Sequence, residues 1–379
     1  MAAVQPLPGA AYVKVEVDFA SNWNNPTSYT DVTADVRFGT LSWERGRNDE
    51  YQTVSPGQAS FALDNRTRTY DPTLSSNIVP ARPMRITCYY PTTATAYQQF
   101  DGMVEDWTPS WTVDHDSVVE AGVVERWAAL PFCAIRLVTY APTSDVRVRL
   151  GQTADSVGWP TGLRDFAAGT YQLLSQTYTD TDAMAIMQET ANTQNQVLYQ
   201  TRTGNLKTFG TFSTVGSSLG TFGDGIGELA FAGVADGVGG GYLYTQVKLT
   251  VGGAQWVSGQ PNVVTGNVGG SYTIAKFGTR VLERTVGAIG QANAPTLLGL
   301  ITTAISGQPF YRIKSITINP LSDPANIFPV VLTADLGNPI TVTWQPPGGG
   351  SRISQTGVIR SIRHEISTGG WIVTWNLSP

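Results

Sequence analysis

The chain has 379 residues, of which 41% are hydrophobic and 14% charged, and its net charge is −5 at pH 7. This acidic balance excludes the basic surface that marks a specific nucleic-acid binder. No apolar run reaches the roughly 18 residues that a membrane-spanning helix needs. We therefore expect no specific nucleic acid binding and no membrane insertion by this chain. The 40 glycines, with many Thr, Ser and Val, favour β-structure with many turns.

The first third of the chain alternates between strand-like segments and turns. Residues 11–19 place Val13, Val15 and Val17 on one face and polar residues on the other, which predicts a half-buried antiparallel strand. Five further strand-like segments follow at intervals set by turn residues. Short strands spaced in this way are typical of a β-barrel or sandwich. We place an N-terminal β-barrel domain at residues 1–140.

The pattern then becomes mixed. The segment "SDVRVRLGQTADSVGWP" predicts a helix that Ser144 caps and that ends at the Gly-then-Pro signal. Residues 181–195 predict a second helix with Asp182 as its N-cap. The segment "QVLYQTRTGNLKTFGTF" predicts a hairpin with Gly204 at its turn. These elements form a small α+β domain, which we place at residues 141–212.

The remaining residues, 213–379, predict a C-terminal β-domain with one helix. Residues 213–245 are glycine-rich and are expected to be irregular, whereas "YLYTQVKLTV" and "GSYTIAKFG" predict strands. The helix is "APTLLGLITTAIS", and it ends at Gly307. Three alternating segments at the end predict a β-meander. The predicted fold is mainly β with an α+β insertion: two antiparallel β-barrel-like domains flank a small α+β unit.

Few residues combine into a chemical site. His115, in "VDHDS", would need a further ligand from elsewhere to bind a metal. His364 lies on an alternating strand, so we expect a surface or hydrogen-bonded side chain. Cys88 and Cys133 have apolar neighbours and are expected to be buried free thiols. We therefore expect no catalytic residue, no metal site and no cofactor.

A pair of carboxylates for glycoside hydrolysis is the hardest site to exclude, because acids far apart in sequence can meet in the fold. The segments "FDGMVEDW" and "VDHDSVVE" offer Glu105, Asp106, Asp114 and Asp116. The alternative is a solvated strand edge, where charges block aggregation. The chain has ten tryptophans, which could line a sugar cleft, but most of them lie on predicted strands and are expected in the core or an interface.

Several segments carry a family resemblance, in order along the chain. The segments "SWERGRNDEYQTVSPGQASFALDNRTRTYDP" and "QQFDGMVEDW" are similar to the Arg-Gly-Arg arm, the strand ending in Asn…Tyr-Asp-Pro and the Phe-x-Gly-x-Val strand of tail-tip proteins of long-tailed bacteriophages. The segments "YQTRTGNLKTF", "LGNPITVTW" and "GWIVTWNLSP" resemble later parts of the same proteins. The chain thus resembles the tail hub, or baseplate hub, and the N-terminal structural part of tail-associated lysins.

This resemblance implies a structural virion protein that is not an enzyme. In the family, two barrel domains per subunit alternate in a homotrimeric hub ring, which joins the hexameric tail tube to the central spike or tail fibre. The implied partners are further copies of this chain, the distal tail protein, the tape measure protein and the spike or fibre. Lysins carry a catalytic domain after the hub, whereas this chain ends at Pro379, so we expect no such domain.

The resemblance also implies a place and a role. The implied location is the virion tail tip. Residues 1–19 lack the charged and apolar segments of a secretory signal, so we expect synthesis and assembly in the host cytoplasm. The net negative charge suits a channel through which DNA passes without sticking during genome ejection. Two alternatives stay open: a distal tail protein, which forms a hexameric ring, and a glycan-binding β-protein or glycosidase of the particle.

The segment "ERGRNDE" concentrates charge in a mostly neutral chain. We predict that it is a polar arm projecting from the first barrel, with Arg45, Arg47, Asp49 and Glu50 pairing across a ring interface. Such pairs fix register and partner choice more than they add affinity. The alternative is an ordinary solvated hairpin, since exposed ion pairs are often energetically negligible.

Overall fold

The structure is a computed structural model that describes residues 11–90, 95–113, 116–143, 145–251, 263–287 and 289–379. Strands account for 44% of the chain and helices for 20%, which confirms the predicted mainly β fold. The strands of the first β-region are β1 (Tyr12–Val17), β2 (Thr30–Asp31), β3 (Leu41–Gly46), β4 (Ser55–Asp64), β5 (Arg82–Tyr89), β6 (Ala96–Trp111), β7 (Ser117–Glu125) and β8 (Ala134–Tyr140).

The middle of the chain and the C-terminal region mix strands with helices. The middle contains α1 (Val146–Ser156), β9 (Arg164–Asp165), β10 (Gln176–Asp182), α2 (Ala183–Thr193), β11 (Gln196–Gln200) and β12 (Leu206–Gly210). The C-terminal region contains β13 (Thr221–Gly223), β14 (Gly233–Val238), β15 (Gln246–Val251), β16 (Val263–Asn267), α3 (Ile274–Phe277), β17 (Val281–Val286), α4 (Ala294–Ser306), β18 (Tyr311–Ile318), α5 (Pro324–Thr333), β19 (Pro339–Trp344), β20 (Ile353–Ser367) and β21 (Gly370–Ser378).

One large sheet joins the two ends of the chain. Its strand order is β14-β18-β21-β20-β3-β4-β7-β6-β5-β1-β2, with β19 added beside β20 and β13 beside β19. The link is an antiparallel pairing of β3 with β20, in register from Leu41 opposite Ile366 to Gly46 opposite Ser361. In the described part of the chain the ends of this path, β2 and β14, do not pair, so no closed barrel forms. The domain boundaries near residues 140 and 212 stay a prediction.

Alternating side chains place the sheet over one continuous core. Val13, Val15 and Val17 of β1 are fully buried, as the alternation predicts. Trp371 and Trp375 of β21 repeat the pattern near the other end of the chain. Burial of each large apolar side chain contributes roughly 1.5–3 kcal/mol, so the core fixes which face of each strand points inward.

The α+β unit has the predicted helices and hairpin. In α2, the Asp182 carboxylate accepts a hydrogen bond from the backbone N–H of Ala185 at 2.7 Å, which confirms the predicted cap. In α1 the cap is Asp145, whose side chain accepts from the backbone N–H of Arg147. The predicted cap, Ser144, is therefore wrong by one residue. Ser144 itself lies outside the described residues. The hairpin β11–β12 turns at Gly204, whose φ is +88°.

A separate small core lies under the sheet β16-β15-β17. Helix α4 packs on β15 and β16 and buries Leu297, Ile301 and Ile305 there. The predicted end of this helix at Gly307 is confirmed. Residues 281–286 pair in parallel with β15, so this unit is a mixed sheet covered by a helix rather than part of the large sheet.

Three features of the C-terminal region correct the sequence prediction. The segment "GSYTIAKFG" contains the short helix α3 instead of a strand; Thr273 lies at its N-cap and Gly278, whose φ is +71°, ends it after one turn. The predicted single helix is joined by α5, which contains Pro329 although proline lacks the N–H that a helix interior uses. The region predicted as irregular, 213–245, contains β13 and β14.

His364 is fully buried and hydrogen-bonded. Its ring stacks on Trp43 with 4.5 Å between centroids, and its Nδ1 accepts a hydrogen bond from the Trp371 Nε1 at 3.2 Å. Burial, helped by the positive charge of Arg45, lowers the pKa of His364 to about 3. The expected hydrogen-bonded histidine is confirmed, and it is neutral at pH 7. Cys88 is a buried free thiol as predicted, whereas Cys133 is half-buried.

We predict that His364 makes the protein less stable in acid. Between pH 6.5 and about 3 the unfolded chain binds a proton at this ring and the folded chain does not, so the free energy of unfolding falls as pH falls. From pH 6.5 to pH 4 this loss is about 3 kcal/mol. A His364→Gln variant keeps a hydrogen-bond acceptor and removes the titration. Chemical denaturation at both pH values should show a smaller loss in the variant, and equal losses would contradict the assignment.

Candidate functional site

The charged segment that the sequence singles out lies at the end of β3 and in the turn toward β4. Arg45 is 3% exposed, Arg47 7% and Glu50 0%. The picture of a projecting polar arm is therefore wrong: three of the four residues lie inside the chain. Their pairing across a ring interface stays a prediction, because the structure describes only their partners within one chain.

The strand pattern explains why this segment is buried. Leu41, Trp43 and Arg45 alternate on the core-facing side of β3. At Gly46 the φ is +111°, and a Cβ there would lie 2.1 Å from the carbonyl oxygen of Arg360 on β20. Only glycine fits this close approach. The alternation in the sequence could have revealed the buried side of Arg45, but its charge suggested a surface.

Arg45 connects three distant parts of the chain. Its Nε donates to the Glu125 Oε1 at 2.7 Å, and one terminal nitrogen donates to the carbonyl oxygen of Gln200 at 2.7 Å. Both terminal nitrogens lie 3.2 Å from the Asp335 Oδ1. Burial opposes the charge of Arg45, but Asp335 and Glu125 outweigh it and hold the pKa of Arg45 above its ordinary value.

Glu125 accepts hydrogen bonds from two groups besides Arg45. These are the backbone N–H of Gly57 and the Trp127 Nε1, both at 2.8 Å. Burial raises the pKa of Glu125, and Arg45 with these two donors opposes that rise. A buried pair of this kind is costly to break, because the remaining charge is left without compensation.

Glu50 forms a second buried ion pair. Its Oε1 accepts from an Arg312 terminal nitrogen at 2.7 Å, which ties the β3–β4 turn to β18. Burial opposes the charge of Arg312, but Glu50 and Tyr51 outweigh it and raise the pKa of Arg312. Asp49 orders the same turn, since its Oδ1 accepts from the backbone N–H groups of Tyr51 and Gln52 at 2.8 and 3.0 Å.

Arg47 differs from its neighbours because it has no carboxylate partner among the described residues. It donates to the carbonyl oxygens of Gln52 at 2.7 Å and Thr211 at 3.3 Å. Its charge is therefore held by backbone dipoles. We call Arg45, Arg47, Glu50, Glu125, Arg312 and Asp335 the buried ionic network.

The acids considered for glycoside hydrolysis are dispersed. Asp116 is held by Arg37, with N–O distances of 2.8 and 2.5 Å. Glu105 is exposed on β6, whereas Asp106 faces a shallow cleft together with Glu120 of β7. Asp114 and His115 lie outside the described residues. Among the residues that are described, no three His, Cys, Asp or Glu side chains come together to hold a metal ion.

The tryptophans named here, all within the described ranges, do not assemble an aromatic cleft. Trp43, Trp127, Trp371 and Trp375 are buried in the core, as expected, although Trp127 lies on a 3₁₀ helix and not on a strand. Trp111 is exposed beside Arg68 at the end of β6. Within the described ranges, no helix combines the length and the apolar character that crossing a membrane requires.

We predict that Arg45→Met lowers the free energy of unfolding by roughly 3–5 kcal/mol, because it leaves Glu125 buried without its cation. The matched control is Arg363→Met on β20, whose exposed side chain pairs with Glu365. This control should cost less than about 1 kcal/mol. Chemical denaturation at pH 7 measures both. If the two variants lose equal stability, the buried ionic network is not a main support of the fold.

Comparisons with known proteins bear on this fold. No protein-family model matches the chain, and no curated protein matches its sequence. Among solved structures, a tail protein from Neisseria meningitidis MC58 is similar with a TM-score of 0.64 at 10% identity, over 97% of this chain and 96% of that protein. The 43 kDa tail protein of prophage MuSo2 from Shewanella oneidensis is similar with a TM-score of 0.58 at 11% identity, over 96% of this chain and 95% of that protein.

A third solved structure extends the likeness. Prophage tail protein gp18 from Listeria monocytogenes EGD-e is similar with a TM-score of 0.52 at 9% identity, and the alignment covers 96% of this chain and 94% of that protein. All three alignments run over nearly the full length of both partners. The chain therefore has the fold of phage and prophage tail proteins, which confirms at the level of the fold the resemblance seen in its sequence.

Proposed function

We propose that this chain is a structural protein of a phage tail tip, a hub ring that joins the tail tube and the distal tail protein to the central spike or fibre. The observation that carries the proposal is the fold match to tail proteins over at least 94% of their lengths. A match of that extent includes both β-regions and the α+β unit between them. The ring would be a homotrimer located in the virion tail, assembled in the host cytoplasm.

The interior of the chain supports a structural role and not an enzymatic one. Two buried ion pairs are committed internally: Arg45 binds Glu125 and Arg312 binds Glu50. Catalytic acids and bases instead need a free face toward substrate. Such paired groups stiffen a scaffold that transmits force between a tube and a spike.

Exposed apolar side chains beside a small sheet supply a surface for ring contacts. The sheet β8–β10 has only two strands, so each strand leaves one edge without a partner in the described residues. Phe132, directly before β8, is 84% exposed, and Leu137 within β8 is 71% exposed. Large exposed apolar residues at an open strand edge are typical of contact surfaces. We assign this edge to contact with a second copy of the chain.

The charge of the chain fits passage of DNA through the ring. The chain carries 29 acidic and 24 basic residues. Several arginines are neutralised inside the protein, as Arg45, Arg126 and Arg312 illustrate. DNA affinity depends on cationic contacts to phosphate. A ring of such subunits would let DNA and the tape measure protein pass without holding them.

Two other functions remain as alternatives to the hub. A distal tail protein would form a hexameric ring with the same kind of contacts. A glycan-binding protein or glycosidase would use the cleft of Asp106 and Glu120, but its described lining contains no tryptophan on which a sugar could stack. Turnover of cell-wall glycan that Asp106→Asn abolishes would favour the glycosidase.

We predict that the purified protein forms a trimer, with a solution mass about three times the chain mass of 40.7 kDa. Light scattering across a concentration series measures this mass directly. A hexamer would favour the distal tail protein. A monomer at every concentration would contradict ring formation by this chain alone.

A pair of variants tests the proposed contact edge. The double variant Phe132→Ser, Leu137→Ser should form the trimer less readily. The protein concentration at which half of the chains are trimeric should rise at least tenfold. The control is Ile226→Ser, which changes a still more exposed apolar residue in the loop between β13 and β14. The edge is not the contact surface if the double variant and the control associate alike.

A further inference from the structure

A cavity of about 200 Å³ lies beside the buried ionic network. It forms where the turn after β3 meets α2, β11 and β17. The polar residues around it include Arg47, Gln188, Asn192, Thr211, Arg284 and Thr285. The cavity is smaller than the roughly 300 Å³ at which typical small-molecule sites begin. A water molecule needs only about 10–15 Å³ on this measure, so the space suits a small ion with a few waters.

The described lining of the cavity is positively charged. Arg47 and Arg284 both line it, and no aspartate or glutamate does. Arg284 donates to the Asn195 Oδ1 at 2.9 Å, and Arg47 donates to the two backbone carbonyls of Gln52 and Thr211. A guanidinium carries five N–H donors. Two are used by Arg47 in these bonds and one by Arg284, and all three acceptors are neutral.

Glu50 and Asp49, whose charges act on Arg47, have partners other than Arg47, although the Oε2 of Glu50 has no hydrogen-bond partner among the described residues. Glu50 pairs with Arg312 at 2.7 Å, and Asp49 accepts hydrogen bonds from the backbone of the turn. Burial, with the nearby charges of Arg360 and Arg284, lowers the pKa of Arg47 to about 9. Burial also lowers the pKa of Arg284. A lowered pKa is expected for a buried cation that has too little negative charge around it.

Arg360 is a third buried cation without a carboxylate partner among the described residues. Its side chain is buried, and its Nε donates to the Ser378 Oγ at 2.5 Å. Its two terminal nitrogens have no hydrogen-bond partner among the described residues. Burial lowers the pKa of Arg360 to about 10, while Glu50 opposes this. A buried cation with unmet donors is costly, and an anion in the cavity would reduce that cost for Arg47 and Arg284, which line it.

We propose that this cavity binds a small oxyanion of the phosphate class, with Arg47 and Arg284 as its cationic ligands. The forked guanidinium groups match the geometry of phosphate oxygens. The amide and hydroxyl groups of Gln188, Asn192 and Thr285 supply further donors around the same space. The inference is independent of the tail function, because it rests on the contents of one cavity within one chain.

The test is titration of inorganic phosphate into the full chain at pH 7. Calorimetry should detect binding, and phosphate should raise the melting temperature more than sodium chloride at equal ionic strength. Arg284→Gln should weaken phosphate binding at least tenfold and abolish the extra thermal shift. The matched control is Lys248→Gln, which removes one positive charge from the neighbouring strand β15, where Lys248 pairs with the exposed Glu283. This control should bind as the original protein does.

Arg284→Lys provides a second variant that keeps the charge and loses the guanidinium fork. It should bind phosphate more weakly than the original chain and more tightly than Arg284→Gln. Circular dichroism checks that each variant is folded, and Arg284→Lys alone decides the question if Arg284→Gln fails that check. The proposal is overturned if the original chain shows no binding heat beyond that of chloride. It is equally overturned if the folded position-284 variants bind phosphate as tightly as the original chain.

Discussion

The antiparallel pairing of β3 with β20 is the constraint on which the rest of the structure depends. It joins residue 41 to residue 366 and so closes the chain's two β-regions into one sheet. Arg45 lies on β3 within this pairing and binds Glu125, Asp335 and the carbonyl of Gln200. Strand pairing and buried charge therefore fix the same junction.

This junction explains why the chain uses arginine inside its fold. A guanidinium can bond to two or three acceptors at once, whereas an ammonium acts as a point charge. Arg45 and Arg312 each connect parts of the chain that are far apart in sequence. Replacing a whole buried ion pair by apolar packing is often neutral, whereas removing one partner is strongly destabilising. In this chain the two ion pairs hold β3, β7 and β18 in one relative arrangement.

Local signals predicted much of this fold. The alternation of Val13, Val15 and Val17 gave β1, and the capping residue Asp182 gave the start of α2. Helix α4 was predicted with its end at Gly307. Helix α5 was not predicted; it contains Pro329, and Phe328 beside it packs on Tyr90 and Trp371 from distant parts of the chain. Elements with a clear local pattern could thus be predicted from the sequence, whereas elements held by distant contacts could not.

The candidate site was harder to predict from local sequence patterns than the fold was. The sequence drew attention to Arg45, Arg47, Asp49 and Glu50, but their charge suggested an exposed arm. Burial of Arg45 and Glu50 depends on Glu125 and Arg312, which lie 80 and 262 residues away along the chain. No local sequence pattern predicts ion-pair partners that lie so far apart along the chain. The cavity between Arg47 and Arg284 was invisible for the same reason, since its walls come from four separate elements.

The central claim is that this chain builds a ring at a tail tip, and electron microscopy of the purified assembly tests it most directly. Class averages should show a closed ring with threefold symmetry and a central opening wide enough for duplex DNA. In each subunit the two β-regions should appear as a single connected body. A sixfold ring, an open filament or particles without a central opening would contradict the account.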